Sequence, residues 1–136
     1  MSIICGSDLS AASGGALEVA VALAAQRGDR EVVLVHIVAP ELGVEAAREP
    51  ALEDAQNQLD AQAKQYAKAP VVVRTQLVVG PAAETLVGLA ETEHTELIVI
   101  SARSTSSSLL RLGTTTSKVI ARSTVPVLVI RDPAPW

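Results

Sequence analysis

Short apolar runs without alternation recur along the chain, and they constrain its fold more than any other feature. The clearest run is Glu31–Val38, which is apolar at nearly every position. Further strands are predicted at residues 3–5, 71–79, 97–100 and 126–130. A strand with one wet face alternates apolar and polar residues, whereas a run without alternation is typical of a parallel sheet covered on both faces. We therefore expect an α/β protein with a buried sheet.

Helix patterns separate these runs. Apolar residues at helical spacing predict four helices, which follow Ser10, Pro50, Pro81 and Gly113. Hydroxyls between Ser10 and Ser13 are candidate N-cap groups for the first helix, which Gly28 ends. Residues 39–50 are expected to form a loop. The order β-α-β-α-β-α-β-α-β predicts a single domain over residues 1–136, with right-handed crossovers and helices on both faces of the sheet.

Charge and residue usage argue against several functions. The formal net charge of −4 is unfavourable for a nucleic-acid-binding face. No apolar stretch approaches the roughly 20 residues that span a bilayer, and Met1 leads directly into a strand run, so we expect a cytoplasmic protein without membrane contact. His36 and His94 have no neighbouring ligands at metal-binding spacing, so no metal site is expected. The lone Cys5 is interpreted as a small buried hydrophobe.

The loop after the first strand is one candidate ligand site. In open parallel sheets, ligands bind outside the carboxyl ends of the strands, where the winding direction reverses. Residues 6–13 place the carboxylate of Asp8 at a strand end and the hydroxyls of Ser10 and Ser13 at a helix start. Plain helix capping is the alternative interpretation of the same residues.

The loop after the fourth strand is the second candidate. Residues 101–116 are rich in Ser and Thr, contain Arg103 and Arg111, and lead into a helix at Gly113. Free backbone N–H groups at a helix N-terminus favour an anion. A solvated Ser/Thr loop without a ligand is the alternative.

These loops and their neighbours resemble the universal stress protein family. The segments that carry the resemblance are Asp8-x-Ser10-x-x-Ser13-x-x-Ala16-Leu17, Gly80 with Leu86, residues 96–100, Gly113-Thr114 with residues 118–120, and residues 125–130. Together they cover essentially the whole chain in the right order. The resemblance implies an adenine-nucleotide alpha-hydrolase-like fold with a five-stranded parallel sheet in the order 3-2-1-4-5.

The resemblance also implies a nucleotide site. Nucleotide-binding members carry Gly-x2-Gly-x9-Gly-[Ser/Thr] after the fourth strand, whereas this chain has Ser101-x2-Ser104-x8-Gly113-Thr114. A serine Cβ would crowd a ribose, while a serine hydroxyl can donate to a phosphate oxygen, and the sequence leaves both effects open. Carried over to matching positions, with Arg103 added for its charge, the implied nucleotide-binding residues are Asp8, Val38, Ala39, Ser101, Arg103, Ser104, Gly113, Thr114 and Thr115.

A stress-response sensor or regulatory module follows from the resemblance, with weak binding of ATP or AMP and with Mg²⁺ only beside ATP. Its partners would be a second copy and a regulatory protein client. The alternative is a dimeric interaction protein of the same family that binds no nucleotide. Slow ATP hydrolysis or self-phosphorylation ranks last because no general base is identifiable, so the chain is not expected to be an enzyme.

The last strand predicts how the chain assembles. In the family's strand order it lies at a sheet edge, yet residues 125–130 are apolar on both faces and contain no Lys or bulge glycine. Such an edge promotes aggregation unless a partner covers it. Family members commonly pair these strands about a two-fold axis. We therefore predict a homodimer through Val125, Val127, Leu128, Val129, Ile130 and Arg131.

Overall fold

Strands and helices alternate strictly along the chain. The computed structural model describes residues 2–40, 45–102, 113–132 and 134–135, without the side chains of 45–48. Within these residues the elements are β1 (Ile3–Ser7), α1 (Ala11–Arg27), β2 (Glu31–Val38), α2 (Glu45–Lys64), β3 (Val72–Val79), α3 (Ala82–Thr92), β4 (Leu97–Ser101), α4 (Thr114–Arg122) and β5 (Val127–Ile130).

The five strands form one parallel sheet in the order β3-β2-β1-β4-β5. This confirms the predicted fold class and strand order. Ile3 of β1 pairs with Val32 of β2 on one side and with Leu97 of β4 on the other. The winding direction therefore reverses between β1 and β4, which places the carboxyl ends of these two strands at the position where ligands bind in open α/β sheets.

Side chains alternate between two apolar layers, one on each face of the sheet. Ile3 and Cys5 contribute to the layer that includes α1 residues, whereas Ile4 contributes to the layer that includes α3 residues. Cys5 is fully buried, and burial raises the pKa of its thiol to about 12, which confirms its interpretation as a buried apolar residue. None of the helices in the described part of the chain combines the length and apolar character required to cross a membrane.

Two local predictions are wrong, and one is confirmed. The loop predicted over residues 39–50 ends earlier, because α2 begins at Glu45 and contains Pro50, which removes one helical hydrogen bond. Ser10 is the N-cap of α1, but no side chain caps the helix. Gly28 does end α1, in the left-handed conformation (φ 77°) that glycine adopts without steric cost.

Candidate functional site

A cavity of about 330 Å³ lies at the carboxyl edge of the sheet, above the point where the winding direction reverses. Three strands and two helices line it. Its described lining residues are Gly6, Ser7, Asp8, Val35, His36, Ile37, Ala82, Leu86, Ile100, Ser101, Gly113, Thr114, Thr115, Thr116 and Val119. An apolar floor with a few polar groups at the rim is typical of small-molecule sites.

Close packing of β1 against its neighbours forms the floor of the cavity. A Cβ atom added to Gly6 would lie 2.9 Å from Cγ2 of Ile100 and 3.3 Å from Cδ2 of Leu86. Both facing side chains are buried. Glycine at this position therefore allows a β4 side chain and an α3 side chain to meet directly over the end of β1.

The carboxylate of Asp8 stands at the rim, immediately after β1. Its Oδ1 atom accepts hydrogen bonds from the backbone N–H of Ser10 at 2.9 Å and from the Ser10 hydroxyl. Among the described residues its Oδ2 atom has no partner, and the side chain is exposed. Leu9, between Asp8 and Ser10, adopts a left-handed backbone (φ 68°), which is uncommon for a residue with a Cβ. The turn thus fixes one carboxylate oxygen and leaves the other available to a ligand.

The N-terminus of α4 also lines the cavity. The backbone N–H of Gly113 donates to Ala102 O at 2.8 Å, and the Thr116 hydroxyl donates to Ser101 O at 2.8 Å. These two bonds fix the start of α4 against the end of β4. Among the described residues no side chain caps the helix, and the backbone N–H groups of 114–116 have no acceptor there. Unpaired N–H groups at a helix start are complementary to an anion.

His36 contributes an imidazole from the end of β2. Its Nδ1 atom lies 2.7 Å from Ser7 O, the backbone carbonyl of its paired residue on β1. Because a carbonyl only accepts, Nδ1 carries the proton and donates. In the neutral ring Nε2 is then an acceptor, and it has no hydrogen-bond partner among the described residues.

Hydroxyls and backbone groups dominate the polar lining. Of the described residues that line the cavity, Asp8 alone has a formal charge with His36 neutral. Across the described residues no three His, Cys, Asp or Glu side chains converge as metal ligands would. A bound anion would therefore be held mainly by N–H groups and by hydroxyls such as that of Thr115.

The structure brings together five of the residues named from the sequence: Asp8, Ser101, Gly113, Thr114 and Thr115. Val38 and Ala39 are not among the lining residues, since β2 contributes residues 35–37 instead. Arg103 and Ser104 fall outside the described residues.

Sequence reasoning missed His36 as a lining residue. Gly6 and Thr116 lie within the candidate loops 6–13 and 101–116, although neither was named among the nucleotide-binding residues. His36 was placed on a buried strand, whereas the structure leaves it partly exposed in the cavity. Its position near the carboxyl end of β2 was the available signal. Its bond to Ser7 depends on the register of two strands, which the sequence does not specify.

Comparisons with known proteins agree with this architecture. The model of the universal stress protein family matches residues 1–131. Universal stress protein UspA from Lactobacillus plantarum is 25% identical, with 96% of this chain and 97% of that chain covered and a TM-score of 0.72. A comparison with curated proteins finds no match.

Two further solved structures share the fold. The universal stress protein from Archaeoglobus fulgidus in complex with dAMP is 21% identical, with 96% of this chain and 97% of that chain covered and a TM-score of 0.75. A universal stress protein in complex with cAMP is 22% identical, with 96% of each chain covered and a TM-score of 0.64.

Proposed function

The chain belongs to the universal stress protein family, and we propose that it binds an adenine nucleotide in the cavity and acts as a stress-response sensor or regulatory module. The observation that carries the proposal is the presence of two features in one cavity. The Asp8 carboxylate and the N-terminus of α4 both line it, and the N-cap residue Gly113 supplies no side-chain cap. A hydroxyl-bearing sugar and an anionic phosphate are complementary to these two features.

Each half of the nucleotide has groups suited to it. Oδ2 of Asp8 can accept a hydrogen bond from a ribose hydroxyl or a base amino group. The N–H groups of 114–116 and the hydroxyl of Thr115 can donate to phosphate oxygens. The apolar side chains of Leu86 and Ile100 offer contact to the planar base.

The ligands of two structural neighbours support this assignment. The complexes with dAMP and cAMP both contain an adenine nucleotide, and both proteins share the fold over nearly their whole length. These ligands differ in sugar and phosphate but share the base. We therefore propose adenine as the common determinant in this chain, with ATP and AMP as candidate ligands and Mg²⁺ beside ATP only.

Calorimetric titration tests the proposal directly. ATP, ADP and AMP are titrated into the protein with and without Mg²⁺, and at least one is expected to bind with a dissociation constant in the micromolar to millimolar range. Absence of heat for all three at millimolar concentration would refute nucleotide binding. That result would favour the alternative of a dimeric interaction protein without a nucleotide.

Two substitutions locate the bound nucleotide. Asp8→Asn removes the charged acceptor, and Gly113→Val adds a branched side chain at the start of α4. The extended backbone of Gly113 (φ −67°, ψ 160°) accommodates valine without strain. Asp8→Asn is expected to weaken binding about tenfold or more, the usual effect of losing a charged hydrogen bond. Gly113→Val is expected to weaken binding because its side chain stands where a phosphate would approach the start of α4. Asp54→Asn, on the exposed side of α2, is the matched control and should bind like wild type.

We propose that the bound nucleotide is not hydrolysed. The described cavity lining contains no Lys or Arg that could neutralise the charge developing on a transferring phosphate. His36 supplies the imidazole of that lining, and its Nδ1 proton is donated to Ser7 O. A phosphate-release assay should give no turnover above the buffer rate. Release that depends on His36 would overturn this part of the proposal.

We also propose a homodimer through β5. Ile98 N–H donates to Pro126 O and Ala102 N–H donates to Ile130 O, so alternate residues of β5 face β4. By alternation, the N–H and C=O groups of Val127 and Val129 face the outer edge of the sheet. A two-fold axis at this edge would pair them with the same groups of a second copy.

Removing a backbone N–H group from the outer edge of β5 tests the dimer. Val129→Pro removes a donor on the outer edge, and proline is tolerated on edge strands when its nitrogen faces outward. Light scattering should report about twice the 14.1 kDa chain mass for wild type and a shift towards the single-chain mass for the variant. A wild-type protein that remains monomeric at high concentration would refute the dimer and leave the fold unaffected.

A further inference from the structure

A half-buried amide on α2 is hydrogen-bonded to both sides of the turn that carries Asp8. The side chain of Gln62 accepts from the Ser7 hydroxyl at 2.6 Å and donates to Ser13 Oγ at 3.0 Å. Ser7 is 7% exposed and Ser13 1% exposed, so these hydroxyls are shielded from water. Gln62 does not line the cavity.

The direction of each hydrogen bond in this network follows from its partners. The Ser13 hydroxyl donates to Ser10 O at 2.7 Å, because a carbonyl only accepts. Ser13 must then accept from Gln62, which fixes the amide with its oxygen towards Ser7. Ser7 donates to that oxygen and accepts from the backbone N–H of Leu9 at 3.0 Å. Each hydroxyl proton therefore has an acceptor, and the two hydroxyl oxygens, Ser7 Oγ and Ser13 Oγ, lie 3.1 Å apart beside the amide.

These bonds hold the left-handed residue of the turn and the residue that follows it. Leu9 is fixed through Ser7 and Ser10 is fixed through Ser13, while Ser10 itself donates to the Asp8 carboxylate. A left-handed conformation at a non-glycine residue costs of order 1 kcal/mol and persists only where surrounding contacts fix it. The Leu9 side chain packs against the core layer on the α1 side and adds to this restraint.

We propose that Gln62 is a positioning residue of the nucleotide site: it acts through Ser7 and Ser13 to hold the Asp8 turn in the conformation that receives the ligand. Ligand affinity is thereby linked to the docking of α2, a helix far from the site in sequence. The effect on affinity depends on the proposed nucleotide binding, whereas the effect on the turn does not.

Replacing Gln62 by leucine, which has a similar size but no amide, tests the effect on nucleotide affinity. Gln62→Leu is expected to weaken AMP binding about fivefold, the effect of a lost hydrogen bond transmitted through the turn. Gln62→Glu keeps the acceptor for Ser7 and loses the donor to Ser13, so it should weaken binding less. Gln58→Leu is the matched control, since Gln58 lies one turn earlier on α2 and donates to the exposed Asp54; it should leave affinity unchanged.

A double-mutant cycle distinguishes positioning from a general structural role. If Gln62 acts through Asp8, Gln62→Leu should change AMP affinity less than twofold in the Asp8→Asn background. An equal loss in both backgrounds would overturn the proposal. So would wild-type affinity in folded Gln62→Leu.

Amide hydrogen exchange tests the turn without any ligand. The N–H groups of Leu9 and Ser10 should exchange at least fivefold faster in Gln62→Leu than in wild type, while that of Asp29, which donates to Ala24 O at the far end of α1, should not change. If wild-type protein binds none of ATP, ADP and AMP, the proposed function is wrong, and exchange alone decides the role of Gln62. Unchanged exchange at both Leu9 and Ser10 in folded Gln62→Leu would overturn it. If that variant does not fold, unchanged exchange at Ser10 in Gln62→Glu, which loses the donor to Ser13, would overturn it.

Discussion

Gly6→Ala should destabilise the protein through one steric conflict. The added Cβ would lie 2.9 Å from Cγ2 of Ile100, at least 0.5 Å short of the 3.4 Å at which ordinary contact begins. Cγ2 is bonded directly to Cβ, so it moves only if χ1 rotates or the strand shifts, and β-branched residues are stiff at χ1. Ile100 is 6% exposed, and the pairing of β1 with β4 restricts a strand shift. Overpacking of this kind costs about 1–3 kcal/mol.

Thermal unfolding followed by circular dichroism measures this cost. For a chain of this length, about 1–3 kcal/mol corresponds to a decrease in Tm of roughly 4–12 °C. Gly88→Ala is the control, because a Cβ there meets nothing within 4 Å and the residue lies exposed within α3. That substitution should raise stability by about 0.5–1 kcal/mol through helix propensity. A Tm for Gly6→Ala at or above the wild-type value would refute the steric argument.

Three further predictions concern single residues. The Cys5 thiol should not react with a thiol reagent at pH 8 until the protein unfolds, because burial raises its pKa to about 12. Gly28→Ala should lower stability by about 1 kcal/mol in chemical denaturation, since its φ of 77° is unfavourable for alanine. The pKa of the Glu84 carboxyl is lowered by a hydrogen bond from the backbone N–H of Glu84 and, in addition, by the charge of Arg122. Glu84→Gln should therefore lower Tm at pH 7, and the difference should vanish as the pH falls below the usual carboxyl range near about 4.

The fold was predictable because a local sequence pattern, either an apolar run or helical spacing of apolar residues, indicates each strand and each helix. Apolar runs such as Glu31–Val38 specify strands buried on both faces, and Gly28 specifies a helix end. The strand order came from the family resemblance. The start of α2 was missed because Pro50 is normally found at a helix boundary, whereas here it lies within the second turn. Docking against the sheet stabilises α2 despite that lost hydrogen bond.

The site was predictable where its residues lie at a strand end or a helix start. Asp8 follows β1 and Ser101 ends β4, so their convergence follows from parallel topology, and Gly113 marks the start of α4. The contacts of His36 and Gln62 depend on strand register and on the rotation of α2 about its axis. A one-residue change in either would direct these side chains elsewhere, and no local motif specifies register or rotation.

Position 101 is serine here, whereas the motif of nucleotide-binding family members has glycine, and the backbone at this position does not require glycine. Ser101 pairs with Ile130 at the end of β4, in extended structure that any residue adopts. In the described part of the chain, positive φ at non-glycine residues is confined to Leu9 and His94. The carbonyl of Ser101 accepts the hydroxyl of Thr116, a bond that a glycine would make equally well. Ser101 lines the cavity, so under the proposed function its Cβ and hydroxyl would bear on the bound nucleotide, the hydroxyl as one further donor.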